Sequence, residues 1–168
     1  MCVYRVQRRA HMRRVFQFIF AMIVSFIPGA IGSMYSPNGA SDAWYNMLNK
    51  SIVTPDGWVF ALAWAILYAL LGIALFLVIR NEKTRLSKGR AYLLFLAQMV
   101  LNALWSYVFF GAHMIGWALV VLIALIFVAT LMMRAFRPFS KWASYLVWPY
   151  IIWMIFAAYL NIAFIWLN

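Results

Sequence analysis

Five long apolar runs, each without a single charge, constrain this chain more than any motif in it. They lie at about Val15–Tyr35, Trp58–Ile79, Ala91–Phe110, Gly116–Met133 and Trp142–Trp166. A helix rises about 1.5 Å per residue and a bilayer core is about 30 Å thick, so each run is long enough to cross, the fourth only just. In lipid a backbone must satisfy its own hydrogen bonds, and for continuous apolar runs of this length the helix does so. Composition agrees: 68% of residues are hydrophobic and 10% charged, against roughly 45–50% and about 25% in a soluble domain. That excludes a soluble globular enzyme, and it excludes disorder. The expected fold class is an all-α membrane protein, a five-transmembrane-helix bundle. Residues 1–14 form a basic N-terminal segment and residues 15–168 a single transmembrane domain.

The charges fall in blocks between the runs. Arg5, Arg8, Arg9, Arg13 and Arg14 occupy the head. Arg80, Lys83, Arg85, Lys88 and Arg90 occupy the second connection, and Arg134, Arg137 and Lys141 the fourth. The first connection holds only Lys50, and the third connection and the C-terminus hold no basic residue. Five spans alternate sides, so every basic block falls on one side. The positive-inside rule then places the N-terminus in the cytoplasm and the C-terminus outside. The net charge of +11 reads as topology and contact with anionic lipid. Nucleic acid is not an expected partner, because no basic face is interleaved with stacking residues in a soluble module. The first span also fits a cleavable signal peptide: a basic head, a short run from Val15 to Ile27, then Ala30-Ile31-Gly32. A retained helix is the preferred reading. The apolar stretch continues past Pro28, and Ala21, Ser25, Gly29 and Ser33 form a small-residue ridge suited to close helix contact.

The spans lack Asp, Glu, Lys, Arg and His in their interiors. Ion-coupled transporters and proton relays need such groups inside the membrane. His11 lies in the head and His113 in the short third connection, so no bis-histidine haem site or metal cluster is expected. Cys2 is the single cysteine and supports no intrachain disulfide. A site in this chain has to work through aromatic faces, amides, hydroxyls and shape.

Aromatic residues make up 19% of the chain. Trp58, Trp117, Trp142 and Trp166 fall at span ends, where an interfacial belt is the default, and Trp44 in the first connection shares that default. Trp64, Trp105 and Trp153 fall inside spans. Trp64 and Tyr68 are four apart on one helix face. Gln98, Asn102 and Trp105 follow i, i+4, i+7, and Tyr150, Trp153, Ala157 and Asn161 share a face of the fifth span. Buried amides in lipid need partners, so these faces are expected to meet inside the bundle. They form either a pocket for a large flat apolar ligand or a set of bonds that only tie helices together. The fourth span has no polar face and is expected to face lipid. With the derived orientation, Trp64 lies roughly 9 Å and Trp105 roughly 8 Å below the outer ends of their spans. The first connection, Ser36 to Gly57, is long for a helix–helix link and reads as a lid over that site.

At these residues the chain resembles the tryptophan-rich sensory protein or translocator protein family, also called the peripheral-type benzodiazepine receptor family. The resemblance covers about Pro28 to Asn168. It rests on WYNMLNK at Trp44–Lys50, WVFALAWAILYALLG at Trp58–Gly72, QMVLNALWSYVFFG at Gln98–Gly111 and PYIIWMIFAAYLN at Pro149–Asn161. It implies a five-helix bundle, often a homodimer, in a bacterial cell membrane. It implies binding of porphyrins such as protoporphyrin IX, and of isoquinoline and benzodiazepine ligands, with no required cofactor. By this resemblance Trp64 and Trp153 match two pocket tryptophans tied to light-dependent breakdown of protoporphyrin. Asn102 and Trp105 match the wall from the third helix, Ala157 a small position tied to ligand access, and Trp44, Tyr45 and Lys50 the start of the lid. The chain departs from the family after Lys50. Ser51 to Gly57 keeps one proline, Pro55, where the family carries a proline, a tryptophan and a proline pair. The fifth helix also lacks the basic end of the animal cholesterol motif, and steroid transport is not expected.

Two functions follow. One is a porphyrin-binding receptor or regulator with no conventional turnover in the dark. The other is a facilitator of porphyrins or other small apolar molecules.

Overall fold

The computed structural model describes residues 2–35, 43–81 and 88–168. Among these residues seven α-helices follow in order: α1 (Cys2–Ser33), α2 (Ala43–Met47), α3 (Gly57–Ile79), α4 (Lys88–Ser106), α5 (Ile115–Phe136), α6 (Lys141–Tyr145) and α7 (Trp148–Leu167). A π-helical turn at Tyr107–Gly111 extends α4. Among the described residues, five stretches are long and apolar enough to cross a membrane: His11–Ser33, Gly57–Ile79, Lys88–Gly111, Ile115–Phe136 and Lys141–Leu167. The five expected spans are all present. The basic head continues the first of them as helix, since α1 begins at Cys2.

Two helix boundaries follow directly from proline chemistry. The fifth run is two helices because Pro149, at the start of α7, has no N–H to give the carbonyl of Tyr145. The chain turns at Leu146 and Val147 and restarts, with proline in the first turn where its missing donor costs nothing. Pro138 follows the end of α5 in the same way, and Ser140 then caps α6 by accepting from Ala143 N at 3.2 Å.

The helices pack in the order α3, α1, α4, α5, α7, with α3 returning sparsely to α6 and α7 to close the ring. Phe18 meets Phe76 and Phe26 meets Tyr68, so α1 runs antiparallel to α3. That places the start of α1 at one end of the bundle with Arg80, Lys88, Arg90, Arg134, Arg137 and Lys141, the basic end. The α1–α3 connection lies at the opposite end, the loop end.

Small residues let α1 approach. Ala21 and Ser25 are fully buried, and Ser25 Oγ donates to Ala21 O at 2.7 Å. The expected ridge does not continue to Ser33, which is exposed, because an i+4 step drifts about 40° around the helix. Pro28, three residues after Ser25, and Gly32, four further on, take over the buried stripe. A Cβ on Gly29 would lie 2.5 Å from Tyr68 Cε2, and one on Gly32 would lie 2.8 Å from Ser106 Oγ. The fourth span is not simply lipid-facing. Ala118, Leu122, Leu125, Ala129, Met132 and Phe136 bury one stripe of α5 between α4 and α7. Its outer stripe, with Trp117, Val120, Ile123 and Phe127, stays exposed. An all-apolar helix hides its buried face from sequence, because the two stripes differ in side-chain size and not in polarity.

Candidate functional site

Asn102, on α4, is the centre of a polar brace across three helices. Its Oδ1 accepts from Tyr68 Oη of α3 at 2.8 Å, and its Nδ2 donates to Tyr150 Oη of α7 at 2.9 Å. All three residues are buried. One amide on one helix thus satisfies a hydroxyl from each of two others, as a polar group in a lipid-embedded core must. Trp64 stacks on Tyr68 with centroids 5.2 Å apart and meets Tyr150 edge-on at 6.3 Å. Trp64, Tyr68, Asn102 and Tyr150 therefore form one cluster, as their helical spacings anticipate.

Trp105 and Asn161 form a second cluster nearer the loop end. Trp105 Nε1 donates to Asn161 Oδ1 at 3.4 Å, and Asn161 Nδ2 donates to Ile115 O at 2.9 Å. Trp105 also stacks on Phe109 at 5.5 Å and meets Phe110 edge-on. The π-helical turn brings those two phenylalanines within 4.7 Å of each other, with Ala112 N donating to Tyr107 O. Asn102 and Trp105 share a face of α4, yet each bonds a different partner.

Trp153 belongs to neither cluster. Its ring meets Phe60 edge-on at 5.7 Å and Phe156 at 5.5 Å. With Ala63, Ile66, Leu67, Pro149 and Ile152 it lines an open apolar groove of ≈ 390 Å³ between α3 and α7. Its indole nitrogen is buried without a hydrogen-bond partner. So are both amide atoms of Gln98, a residue with no exposed surface. Ala157 is buried on the same helix, one turn beyond Trp153.

The described part of the lid lies against the loop end. Trp44, on α2, stacks on His113 with centroids 4.0 Å apart and rings 11° from parallel. His113 adopts a left-handed backbone with φ of 57°, which histidine tolerates better than most residues. Tyr45 meets Phe110 and Phe164, and Lys50 Nζ lies 4.1 Å above the Tyr45 ring. Pro55 is half-buried and joins none of these ring contacts. A reciprocal amide pair does the fastening instead. Asn49 N donates to Asn168 Oδ1 at 2.8 Å, and Asn168 Nδ2 donates to Asn49 O at 3.1 Å. Asn49 Nδ2 also donates to Leu167 O at 3.1 Å. Neither asparagine stands out in the sequence: Asn49 lies inside the Trp44–Lys50 motif and Asn168 seven residues past Asn161, and nothing local pairs residues so far apart. Phe60 and Phe109 are likewise unmarked within their motifs, and His113 shows in the sequence only as a connection residue and not as a stacking partner of Trp44.

The interfacial tryptophans are where span ends predict them. Trp58, Trp117, Trp142 and Trp166 are each more than half exposed. No group of three or more His, Cys, Asp or Glu that could hold a metal ion occurs among the described residues. The chemistry on offer within the spans is aromatic contact, a braced amide and the two buried polar side chains of Gln98 and Trp153 without partners.

The profile of the TspO/MBR family matches residues 19–167. A tryptophan-rich sensory protein of Cereibacter sphaeroides is 37% identical over 155 residues, covering 89% of this chain and 92% of its own. The tryptophan-rich protein TspO of Archaeoglobus fulgidus is 34% identical, covering 92% and 98%. The translocator protein of Ovis aries is 35% identical, covering 79% of each chain.

Proposed function

This chain belongs to the TspO/MBR family, and from that premise we propose that it is a membrane receptor for a flat tetrapyrrole such as protoporphyrin IX. The observation that carries the reading is the seam between α3 and α7, which carries two groups of rings: Phe60 against Trp153, and Trp64 against Tyr68 and Tyr150. A porphyrin is a wide aromatic plate, and each ring contact contributes about 0.5–1.5 kcal/mol beyond burial. Trp153 Nε1 and the Gln98 amide are buried without partners, so a ligand that brings hydrogen-bonding atoms gains at those points. The two porphyrin carboxylates would extend to the loop end, where Lys50 is the cation of the lid.

The chain acts as a multi-pass membrane protein with its basic end in the cytoplasm and its C-terminus outside, an orientation supported by the placement of six basic side chains at one end of the bundle. Trp64 and Trp153 are also electron-rich partners for an excited porphyrin, which supports pigment breakdown in light and oxygen. A second reading, a facilitator of porphyrins or other small apolar molecules, is favoured by the groove at the α3–α7 seam opening away from the bundle.

The test is quenching of tryptophan fluorescence by protoporphyrin IX in lipid nanodiscs. Saturable quenching is expected, weakened about tenfold by Trp64→Ala with Trp153→Ala, since two ring contacts are lost. Quenching that never saturates, and matches free indole in empty nanodiscs, refutes the receptor reading. Ligand-stimulated flux in proteoliposomes, with binding intact, would favour the facilitator.

A further inference from the structure

The loop end and the α3–α7 seam are fastened by different means. At the loop end Asn49 and Asn168 exchange hydrogen bonds, and Trp105 is held by Asn161. At the seam, α3 and α7 touch sparsely and aromatic rings fill the gap. Among the described residues of the spans, only Gln98 and Trp153 keep buried polar side-chain atoms without a partner. Trp153 is thus held in place by packing alone. On its outer side lies the ≈ 390 Å³ groove, between exposed Ile66 and Ile152. Phe60 meets the ring edge-on, and the ring packs against the buried core that includes Tyr68 and Tyr150.

Two further features bear on movement and direction. The break between α6 and α7 falls immediately before Pro149, which itself lines the groove. The first turn of α7 therefore lacks the continuous hydrogen-bond ladder that stiffens a helix. Ala63 to Leu67 lie six to ten residues into α3, roughly 9–15 Å from the loop end. A groove at that depth opens onto hydrocarbon, so its occupant arrives dissolved in the bilayer.

We propose that the α3–α7 seam is the passage by which the ligand moves between the bilayer and the bundle interior, with Trp153 as its movable wall. This rests on the reading of the chain as a receptor for a flat apolar ligand. Ring displacement at Trp153 opens the groove toward Trp64 and Tyr150, and turns the unpartnered indole N–H toward an acceptor on the passing molecule. The loop end stays latched throughout.

Stopped-flow quenching with protoporphyrin IX in nanodiscs tests this. Ala63→Phe and Ile152→Trp each place a ring in the groove. Ile152 is 60% exposed, so its replacement keeps the test open if Ala63→Phe fails to fold. Both association and dissociation rates are expected to fall about tenfold or more, with Kd within about threefold, as for a narrowed path to an unchanged site. Asn168→Ala, which releases the latch, should change both rates by less than about twofold. Unchanged rates in Ile152→Trp overturn the proposal. So does a weaker Kd with unchanged association, which makes the groove a contact surface. Tenfold faster association in Asn168→Ala overturns it too, because access then lies under the lid. Failure of the wild type to bind refutes the receptor reading itself, and this proposal with it.

Discussion

Gly29→Ala tests how tightly α1 must approach the site. A methyl group there would lie 2.5 Å from Tyr68 Cε2 and 3.0 Å from Cδ2. Carbon atoms pack best at about 3.5–4.0 Å, so the ring has to retreat by about 1 Å. It has nowhere easy to go. Tyr68 is stacked on Trp64, tilted against Phe26 at 5.8 Å, and tied to Asn102 by its hydroxyl. Overpacking of this kind costs about 1–3 kcal/mol. Losing the Tyr68–Asn102 bond adds about 0.6 kcal/mol, typical of interhelical bonds in membranes. Against this, alanine is the better helix former by about 0.5–1 kcal/mol. Packing outweighs propensity, and a net loss of about 1–2.5 kcal/mol is expected. The assay is reversible SDS titration in mixed micelles, followed by far-UV circular dichroism. Gly89→Ala is the control, since a Cβ there meets nothing within 4 Å; it should be neutral or stabilising by up to about 1 kcal/mol. In a Tyr68→Ala background the cost of Gly29→Ala should vanish. Equal stability of the two glycine variants, or a cost that persists without the Tyr68 ring, refutes the close-approach argument.

Asn102→Ala removes both bonds of the brace and leaves two buried hydroxyls unpaired, so a loss of about 1–3 kcal/mol is expected in the same titration, larger than for Tyr68→Phe. Asn168→Ala should raise amide hydrogen exchange across Ala43–Pro55 and leave α3 and α4 protected; equal exchange with the wild type would show that the latch is idle. Reporter fusions after Asn168 and in the Asn81–Gly89 connection should score on opposite sides of the membrane, and same-side readings would refute the orientation. Bound protoporphyrin should persist in darkness and be lost only with light and oxygen together, because the spans carry no acid–base or metal set; pigment loss in the dark would refute that chemistry.

The bundle was legible because lipid writes its constraints locally. Span length and the segregation of basic residues appear in any window of the chain. Helical spacing likewise put Gln98, Asn102 and Trp105 on one face of α4. Spacing gives a face, however, and not the partner at each depth. Asn102 and Trp105 are three residues, roughly 4.5 Å of helix, apart, which is enough for one to meet the two tyrosines and the other Asn161. The buried face of α5 was hidden because both of its stripes are apolar. The Asn49–Asn168 latch was hidden for another reason: its halves are 119 residues apart, and no local pattern links them. Motif resemblance marked Trp44, Tyr45 and Lys50 as the lid but could not say what fastens it when Pro55 alone remains of the expected prolines.

The distribution of satisfied and unsatisfied polar groups then bears on how such a bundle could hold a ligand and still release it. A polar group left unpaired in a buried site costs about 1–3 kcal/mol. The chain carries that cost at Trp153 and Gln98 and avoids it at Tyr68, Asn102, Tyr150, Trp105 and Asn161. The braced residues tie α3, α4 and α7 together from within, so the frame keeps its shape when the site is empty. Trp153 sits where the frame has slack, beside a seam closed by rings rather than by bonds. A ligand that supplies an acceptor to Trp153 relieves a cost already present in the empty protein, and that relief adds to its affinity without requiring any brace to break. Bracing Trp153 as Trp105 is braced would make the empty protein more stable and the ligand weaker by the same hydrogen bond.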